Sequence, residues 1–263
     1  MNLIELAHLA HVADGVSPFN EASLIALTDG ASLRVDLLSE FGGAVAVGDA
    51  PVEFAIAPSH RRQGHGASLL AQLLAAGETH FWAHGDLPAA VSLAAAAGLV
   101  AERVLLRLSS TNSVVPDFGV AEGLTIRTFD DGDAEELVAL NARAFANHPE
   151  QGQMTLADFN RRRAEPWFDP AGVFIAVRDG QMVGFHWTKV EGQTGEVYVV
   201  GVDPSAHGGG IGTALTAAGL RYLWGRGVAE VDLYVEGDNV PALKVYRNLG
   251  FGERARDVLY VVS

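Results

Sequence analysis

The stretch AHGGGIGTALTAAG, residues 206–219, places four glycines at the start of an apolar helix. Such a cluster has an entropic cost, which is tolerated where the backbone must come close to another group. A glycine-rich loop that begins a helix is typical of an anion site, because exposed N–H groups and the positive end of the helix dipole meet there. The earlier stretch RRQGHGASLL, residues 61–70, has the same form. The sequence therefore predicts two loops of this type.

The two loops belong to a longer internal repeat. VEFAIAPSHRRQGHGASLLAQLL lies over VYVVGVDPSAHGGGIGTALTAAG when Pro58 is set on Pro204, and both read as strand, proline turn, glycine loop and helix. Farther along, HGDLPAAVSLAAAAGL lies over EGDNVPALKVYRNLGF. We therefore predict a tandem duplication, with a first domain at residues 1–110 and a second at 123–263. The polar, aperiodic segment 111–122 is the predicted linker.

The hydrophobic periods of the second copy read β-α-α-β-β-β-α-β-α-β, which predicts the α+β class, with a mixed sheet covered by helices. Thr155 is the expected N-cap of one helix, and Asp179-Gly180 is a strong hairpin signal.

The first copy is abbreviated. It opens on a helix, so we expect its sheet to lack the first strand, and the space from Ala31 to Pro51 is tight for two full hairpin strands.

Composition excludes several classes of function. The net charge is −14 and no long Lys/Arg run occurs, which argues against a nucleic-acid or anionic-membrane partner. The chain has no cysteine, so disulfides, thiolate catalysis and cysteine-ligated metals are excluded. The histidines show no metal-ligand spacing, and we expect no metal. The N-terminus has neither a signal-peptide pattern nor a membrane span, so we expect a cytoplasmic protein. We also expect a monomer whose partner is a small-molecule amine.

The glycine loop alone leaves the anion open. A nucleotide-binding P-loop needs a Lys-Ser/Thr pair after its second glycine, and no lysine precedes Thr213. A dinucleotide fingerprint comes nearer, because GGGIG is followed by the strand VDLYVE with its closing acid. The Val-Asp-Pro turn between strand and loop is unusual for such a site.

The order strand, proline turn, glycine loop, helix and strand is followed here by Asn-x-x-Ala-x-x-x-Tyr-x-x-x-Gly-Phe, from Asn239 to Phe251. This combination resembles the GCN5-related N-acetyltransferases (GNAT), and the two copies together cover most of the chain. The resemblance implies two tandem GNAT domains, whose glycine loops hold the pyrophosphate of acetyl-CoA. One departure is visible: His207 stands where Arg or Gln is usual, whereas Arg61 of the first copy fits.

The resemblance also implies which residues contact acetyl-CoA. In the second copy they lie on the strand, the loop and the following helix start: Val200, Gly201, Val202, His207, Gly208, Gly209, Gly210, Ile211, Gly212, Thr213, Asn239, Val240, Pro241, Ala242, Leu243 and Lys244. The first-copy set is Phe54, Ala55, Ile56, Arg61, Arg62, Gln63, Gly64, His65 and Gly66. In that family the strand splays from its neighbour, so that its backbone pairs with the pantetheine arm. The amide near Val200 could then stabilise the oxyanion.

Two residues of the second copy are the expected acid and base. Glu196 is assigned as general base acting through water, and Tyr246 as the general acid for the leaving thiolate. Under the internal alignment they fall on Ala50 and Ala94, so we predict that the first copy binds coenzyme A without catalysis. The alternatives are a solvated Glu196 at a strand end and a core aromatic role for Tyr246.

The phrases FANHPEQG, EPWFDP, GFHWTKV and GEVYVVGVDP resemble tandem family members with one silent half. Those enzymes acetylate the cysteinyl amine of a cysteine-glucosamine-inositol pseudodisaccharide. Matching positions imply an acceptor site formed by Glu21, Glu150, Lys189, Glu196 and Tyr234. His148 and His186 could also line it, although a structural role is preferred. An antibiotic or peptide amine as acceptor, and a coenzyme A sensor without turnover, stay open as alternatives.

Overall fold

The computed structural model describes residues 1–119, 122–146, 151–207 and 209–263, and their contacts divide the chain into two compact units. The first unit consists of Met1–Leu106, Glu236–Asp238 and Ala255–Ser263, and the second of Arg107–Val235 and Asn239–Arg254. The units are interleaved in the sequence, because the last residues of the chain belong to the first unit. The domain boundaries drawn from the repeat follow chain order and stay a prediction.

The first unit has a short sheet that opens on a hairpin. Its elements are α1 (Leu3–Asp14), α2 (Glu21–Asp29), β1 (Val35–Leu38), β2 (Gly42–Ala46), β3 (Val52–Ile56), α3 (His65–Ala75), β4 (His80–His84), α4 (Pro88–Ala96) and β5 (Leu99–Ser110), whose last four residues lie in the second unit. The strands follow the order β1-β2-β3-β4, and only β3 and β4 are parallel. Residues 1–34, all described, form two helices and no strand, so the predicted loss of the first strand is confirmed.

The closing segment of the chain forms one long strand, β11 (Gly252–Val262). Residues 253–262 contain no glycine or proline that would break the strand. From Asp257 to Val261 it pairs antiparallel with β4. The C-terminus of the chain therefore completes the sheet of the first unit.

The tenth element predicted for the second copy, its closing strand, is β11. The first nine match the order of the described helices and strands of the second unit. They are β6 (Leu124–Thr128), α5 (Ala134–Ala144), α6 (Leu156–Arg163), β7 (Val173–Arg178), β8 (Gln181–Glu191), β9 (Thr194–Val202), α7 (Ile211–Gly225), β10 (Glu230–Glu236) and α8 (Val240–Asn248). The strands lie in the order β6-β7-β8-β9-β10, and only β9 and β10 are parallel. This mixed sheet confirms the predicted α+β class.

Local signals set the ends of these elements. Thr155 caps α6 in a reciprocal capping box with Asp158, as predicted. Asp179 and Gly180 have φ values of 52° and 75°, the left-handed pair that a two-residue hairpin between β7 and β8 requires. None of the helices in the described ranges is long and apolar enough to cross a membrane.

The two faces of β8 pack on different helices. Phe185 and Trp187 are fully buried in the cluster that contains residues of α5 and α6. His186, between them, points to α7, where its Nδ1 lies 2.9 Å from the carbonyl oxygen of Leu215. Complete burial lowers the pKa of His186 to about 4, so the ring is neutral at physiological pH. His186 is therefore a core residue, in agreement with the structural role preferred for it.

Gly219 of α7 leaves the space that the imidazole of His186 occupies. A Cβ atom at this position would lie 2.0 Å from Cε1 of His186. We expect Gly219→Ala to lower the free energy of unfolding by about 2 kcal/mol or more, because a fully buried ring cannot move aside. Urea denaturation monitored by circular dichroism measures the change.

Gly225→Ala, in the last turn of the same helix, is the matched control, because its Cβ would meet nothing within 4 Å. This variant is expected to be neutral or slightly stabilised, since alanine has the higher helix propensity. Equal stability of the two variants would contradict the packing of His186 against Gly219.

Candidate active site

The strands β9 and β10 pair only at their beginnings. Their parallel register runs from Thr194–Glu230 to Val197–Leu233, although β9 continues to Val202. On its other side, β9 stays paired with β8 as far as Val202, and a bulge places Tyr198 as an extra residue in β9. Bulges increase local twist and often lie beside active sites. The described residues thus show the splayed strand pair that the GNAT resemblance implies.

The glycine loop closes the wide end of this gap. Gly210 is the N-cap of α7 in a left-handed conformation, with φ of 71°. The N–H of Ala214 bonds the carbonyl of Gly210, so the amides of residues 211–213 precede the helical hydrogen-bond ladder. These amides and the helix dipole suit a phosphate group. Gly208, also predicted to contact acetyl-CoA, lies outside the described residues.

His207 does not extend away from the protein as a loop cation would. Its Nε2 lies 3.2 Å from the carbonyl oxygen of Val202, at the end of β9. The ring therefore turns back on its own strand. This leaves the backbone of the loop as the anion-binding element in this segment.

Glu196 lies in a row of charged residues across the sheet of the second unit. Its register partners are Lys189 on β8 and Asp232 on β10. Lys189 forms an ion pair with Glu191 at 2.7 Å and lies 5.3 Å from the ring centre of Trp167. Two predicted acceptor-site residues, Lys189 and Glu196, therefore lie side by side on adjacent strands, and Asp232 lies next to Glu196 on the third strand.

Asp232 was not singled out from the sequence, because a single acid in VDLYVE reads as the polar residue of a strand. In the structure it is buried and accepts hydrogen bonds from the Arg107 guanidinium and the Ser109 hydroxyl. Its carboxylate is therefore neutralised, although it neighbours Glu196. Tyr234, two residues farther on β10, is 52% exposed and lies beyond the part of the strand that pairs with β9.

Tyr246 is placed in the buried face of α8. The helix begins at Asn239, whose side chain accepts from the amide of Ala242 at 3.2 Å. The ring packs edge-on against Phe251, with 6.0 Å between ring centres. Burial raises the pKa of Tyr246 to about 12, so the hydroxyl keeps its proton at neutral pH.

Two other residues are predicted for the acceptor site. Glu21 is the exposed first residue of α2, in the first unit. Glu150 and His148 lie outside the described residues. Within the described part of the chain, no group of three His, Asp or Glu side chains could hold a metal ion.

The first unit contains a cavity of about 640 Å³ between its own diverging strands. β3 pairs with β4 only at Val52–Phe81 and Glu53–Trp82. Seven of the nine residues predicted to contact acetyl-CoA line the cavity: Phe54, Ala55, Ile56, Arg61, Arg62, Gly64 and Gly66. The side chains of the other two turn elsewhere, since His65 stacks on Phe41 and Gln63 reaches the carbonyl of Ser59. Ala94, the counterpart of Tyr246, also lines it.

Arg61 already has a protein partner in this cavity. Its guanidinium forms a two-point ion pair with Asp14 at 2.6 and 2.7 Å, and its Nε donates to the carbonyl of Ile56 at 3.1 Å. Asp14 is the last residue of α1. The loop arginine that matches the family pattern is thus held by an acid of the same unit.

A second ionic group beside the cavity was missed by sequence reasoning. His84 lies between Glu53 and Asp257, with N–O distances of 2.5 and 3.1 Å. Glu53 is fully buried and also accepts from the amide of Asn20 at 3.0 Å. Burial alone would lower the pKa of His84, but hydrogen bonds to Asp257 and Glu53 outweigh it and raise the pKa to about 9. The ring is therefore a cation that joins β3, β4 and β11.

The sequence comparisons agree with this geometry. The acetyltransferase (GNAT) family profile matches residues 135–251. A mycothiol acetyltransferase of Thermomonospora curvata is 48% identical, over 98% of this chain and 92% of the relative. One from Thermobispora bispora is 46% identical, over 98% of this chain and 94% of the relative. The chain therefore belongs to the GNAT family of acetyltransferases, in the group formed by these relatives.

Solved structures show the same fold. A GCN5-related N-acetyltransferase from Sphaerobacter thermophilus superposes with a TM-score of 0.72 at 23% identity, covering 98% of this chain and 91% of that one. A tandem GNAT protein of the clavulanic acid pathway gives 0.59 at 22% identity, covering 84% and 78%. The chain is thus an acyltransferase with a tandem GNAT fold, and enzymes of this family take the acetyl group from acetyl-CoA.

The ion group around His84 predicts a pH-dependent stability of the first unit. Because the folded pKa of about 9 lies above the unfolded value of 6.5, the stabilisation is complete below pH 6.5 and is lost as the pH rises through 9. The shift corresponds to about 3 kcal/mol. Urea denaturation from pH 6 to 10 should show the difference between wild type and His84→Gln shrinking over this range.

His80→Gln is the control, because His80 lies on the same strand but is exposed. Its pH profile is expected to run parallel to that of the wild type. A constant difference between wild type and His84→Gln from pH 6 to 10 would exclude a charged His84.

Proposed function

We propose that the chain transfers the acetyl group of acetyl-CoA to the cysteinyl amine of a cysteine-glucosamine-inositol pseudodisaccharide, giving mycothiol. The observation that carries this proposal is the 48% identity to a mycothiol acetyltransferase over 98% of the chain. The splayed strands and the glycine loop of the second unit supply the matching geometry. Which residues act, and how, is derived below from that unit.

The described residues suit acetyl-CoA. The backbone of β9 from Tyr198 to Val202 has no partner on β10, so the pantetheine arm could add to it as a strand would. The amides of residues 211–213 suit the pyrophosphate. At the start of α8, the side chains of Val240 and Lys244 are exposed, whereas Leu243 is buried and offers only its backbone. Acetyl-CoA bound in this way would have its thioester near the point where β9 and β10 separate.

Glu196 is the proposed base. The attacking amine must lose a proton, and an α-amino group has a reference pKa of about 8. A carboxylate acting through one water can remove that proton. Arg107 forms an ion pair with Asp232, so the carboxylate beside Glu196 on the neighbouring strand is neutralised. The acceptor side would be completed by Lys189 and Tyr234.

Tyr246 is the proposed acid. It is protonated at neutral pH and buried in α8, and no hydrogen bond to its hydroxyl is found among the described residues. The phenol is therefore available to donate to the departing thiolate, whose charge it stabilises as the carbon–sulfur bond breaks. The amide near Val200 would stabilise charge on the carbonyl oxygen. The amine attacks directly, so no acyl-enzyme is required.

The first unit is proposed to bind coenzyme A without catalysis. Its cavity lies between β3 and β4, as the seat for acetyl-CoA in the second unit lies between β9 and β10. The positions aligned with the acid and the base are alanines, Ala94 and Ala50. A cavity without proton-transfer groups at those positions supports binding more than turnover.

The acceptor is tested by direct comparison. Purified protein with acetyl-CoA should release coenzyme A with the cysteinyl pseudodisaccharide, and at least about a hundredfold more slowly with an aminoglycoside or a peptide N-terminus, because a site built for an uncharged sugar does not compensate the extra charges. Coenzyme A is quantified by chromatography, because the cysteinyl acceptor has a thiol of its own that would react with a thiol reagent. Equal turnover of the three amines would reject this acceptor, and binding of acetyl-CoA without any turnover would indicate a sensor.

The acid and base are tested by two variants. Tyr246→Phe is expected to lower kcat by about a hundredfold, the usual size of a lost proton donor, with little change in KM for acetyl-CoA. Glu196→Gln should lower kcat similarly but recover as the pH rises past about 8, where the amine loses its proton unaided. Steady-state kinetics from pH 6 to 9.5 measure both effects.

Tyr222→Phe is the matched control for the loss of a tyrosine hydroxyl in a partly buried position. Tyr222 lies on α7 and donates to Asp169 at 2.7 Å. We expect kcat to stay within about twofold of the wild type, because this hydroxyl is already used within the fold. Full activity of Tyr246→Phe would remove that residue from the mechanism.

A further inference from the structure

The loop of the second unit lacks a cation of its own. Residues 203–214 read DPSAHGGGIGTA and include no arginine or lysine, and the ring of His207 turns back to Val202. Acetyl-CoA carries several negative charges, and the protein has a net charge of −14. Backbone dipoles alone must then offset an unfavourable long-range field. A cation from another element would relieve this problem.

Arg178 is the cation that lies against this loop. It is the last residue of β7, directly before the hairpin turn. A Cβ atom on Gly209 would lie 3.0 Å from its Nη2 and 3.9 Å from its Cζ. The missing side chain at position 209 therefore lets the guanidinium approach the loop backbone.

Arg178 is also without a partner in the described part of the chain. Its Nε is buried and makes no hydrogen bond there, and no carboxylate pairs with the guanidinium. Other partly buried arginines of the second unit are neutralised, such as Arg107 by Asp232 and Arg163 by Asp131. An unpaired, partly buried charge is costly unless a ligand supplies the counterion.

We propose that Arg178 binds a phosphate group of acetyl-CoA and replaces the loop cation that is absent at position 207. A guanidinium presents a planar set of donors that matches two phosphate oxygens. The inference rests on the proposed use of acetyl-CoA by the second unit. The same chemistry fits the pyrophosphate and the 3′-phosphate, and the experiment separates these two sources.

The test compares Arg178→Gln with the wild type for three ligands: coenzyme A, dephospho-coenzyme A and pantetheine. Calorimetry should show the affinity of the second-unit site for coenzyme A falling by about tenfold or more, as for the loss of a charged hydrogen bond, with pantetheine unchanged. KM for acetyl-CoA, but not for S-acetylpantetheine, should rise in parallel. Arg178→Lys should retain part of the affinity. A loss that persists with dephospho-coenzyme A assigns the pyrophosphate, and a loss confined to coenzyme A assigns the 3′-phosphate.

Arg221→Gln is the matched control, an arginine of the second unit that bonds the carbonyl of Pro116. It should leave all three affinities unchanged, and urea denaturation should show both variants folded. Unchanged coenzyme A binding by Arg178→Gln would overturn the inference, and so would an equal loss for coenzyme A and pantetheine, which indicates a structural role. Phosphate-dependent binding by a wild type that acetylates no amine would instead reject the proposed function and leave this inference standing.

Discussion

The end of the pairing between β9 and β10 at Val197–Leu233 is the constraint on which the rest of the site depends. A continuous parallel pair would satisfy the backbone of β9 and leave no seat for an extended ligand. The bulge at Tyr198 twists β9 while it stays bonded to β8, so the strand can leave β10 without leaving the sheet. The glycine loop then lies at the open end of the gap, with its helix dipole directed toward it. The charged row that contains Glu196 lies in the part that remains paired.

The two units share one plan but differ at the positions proposed for catalysis. In the first unit β3 and β4 also separate after two register pairs, and a cavity fills the gap. Alanines stand where the second unit has its proposed acid and base. The polar groups that remain serve the fold, since Arg61 is paired with Asp14 and His84 is held between two carboxylates. A binding cavity can survive on backbone geometry, whereas proton transfer needs particular side chains.

Much of the fold could be predicted because its signals are local. The cap at Thr155, the turn at Asp179-Gly180 and the left-handed Gly210 each depend on a few neighbouring residues. The site was harder to predict. Asp232 and Arg178 gain their significance from strands distant in sequence, and nothing near them in the chain marks them. The same holds for Glu53 and His84, whose partner Asp257 comes from the last strand. Such contacts depend on how distant segments of the chain pack together, and the periodicity of hydrophobic residues along the sequence gives no information about that packing.

By itself the sequence determined the fold class, the duplication and the positions of the two glycine loops, because glycine spacing, hydrophobic period and a repeated motif are properties of the chain. It also showed that the second copy has Glu196 and Tyr246 where the first copy has Ala50 and Ala94. Only the tertiary structure decided where β9 leaves β10, that the C-terminal strand completes the first unit, and which charges are already paired. These outcomes depend on the balance between sheet pairing, burial and ionic contact over long sequence separations. Local sequence patterns do not report that balance, because neither residue of such a pair differs from its neighbours in the sequence until folding brings the two residues together.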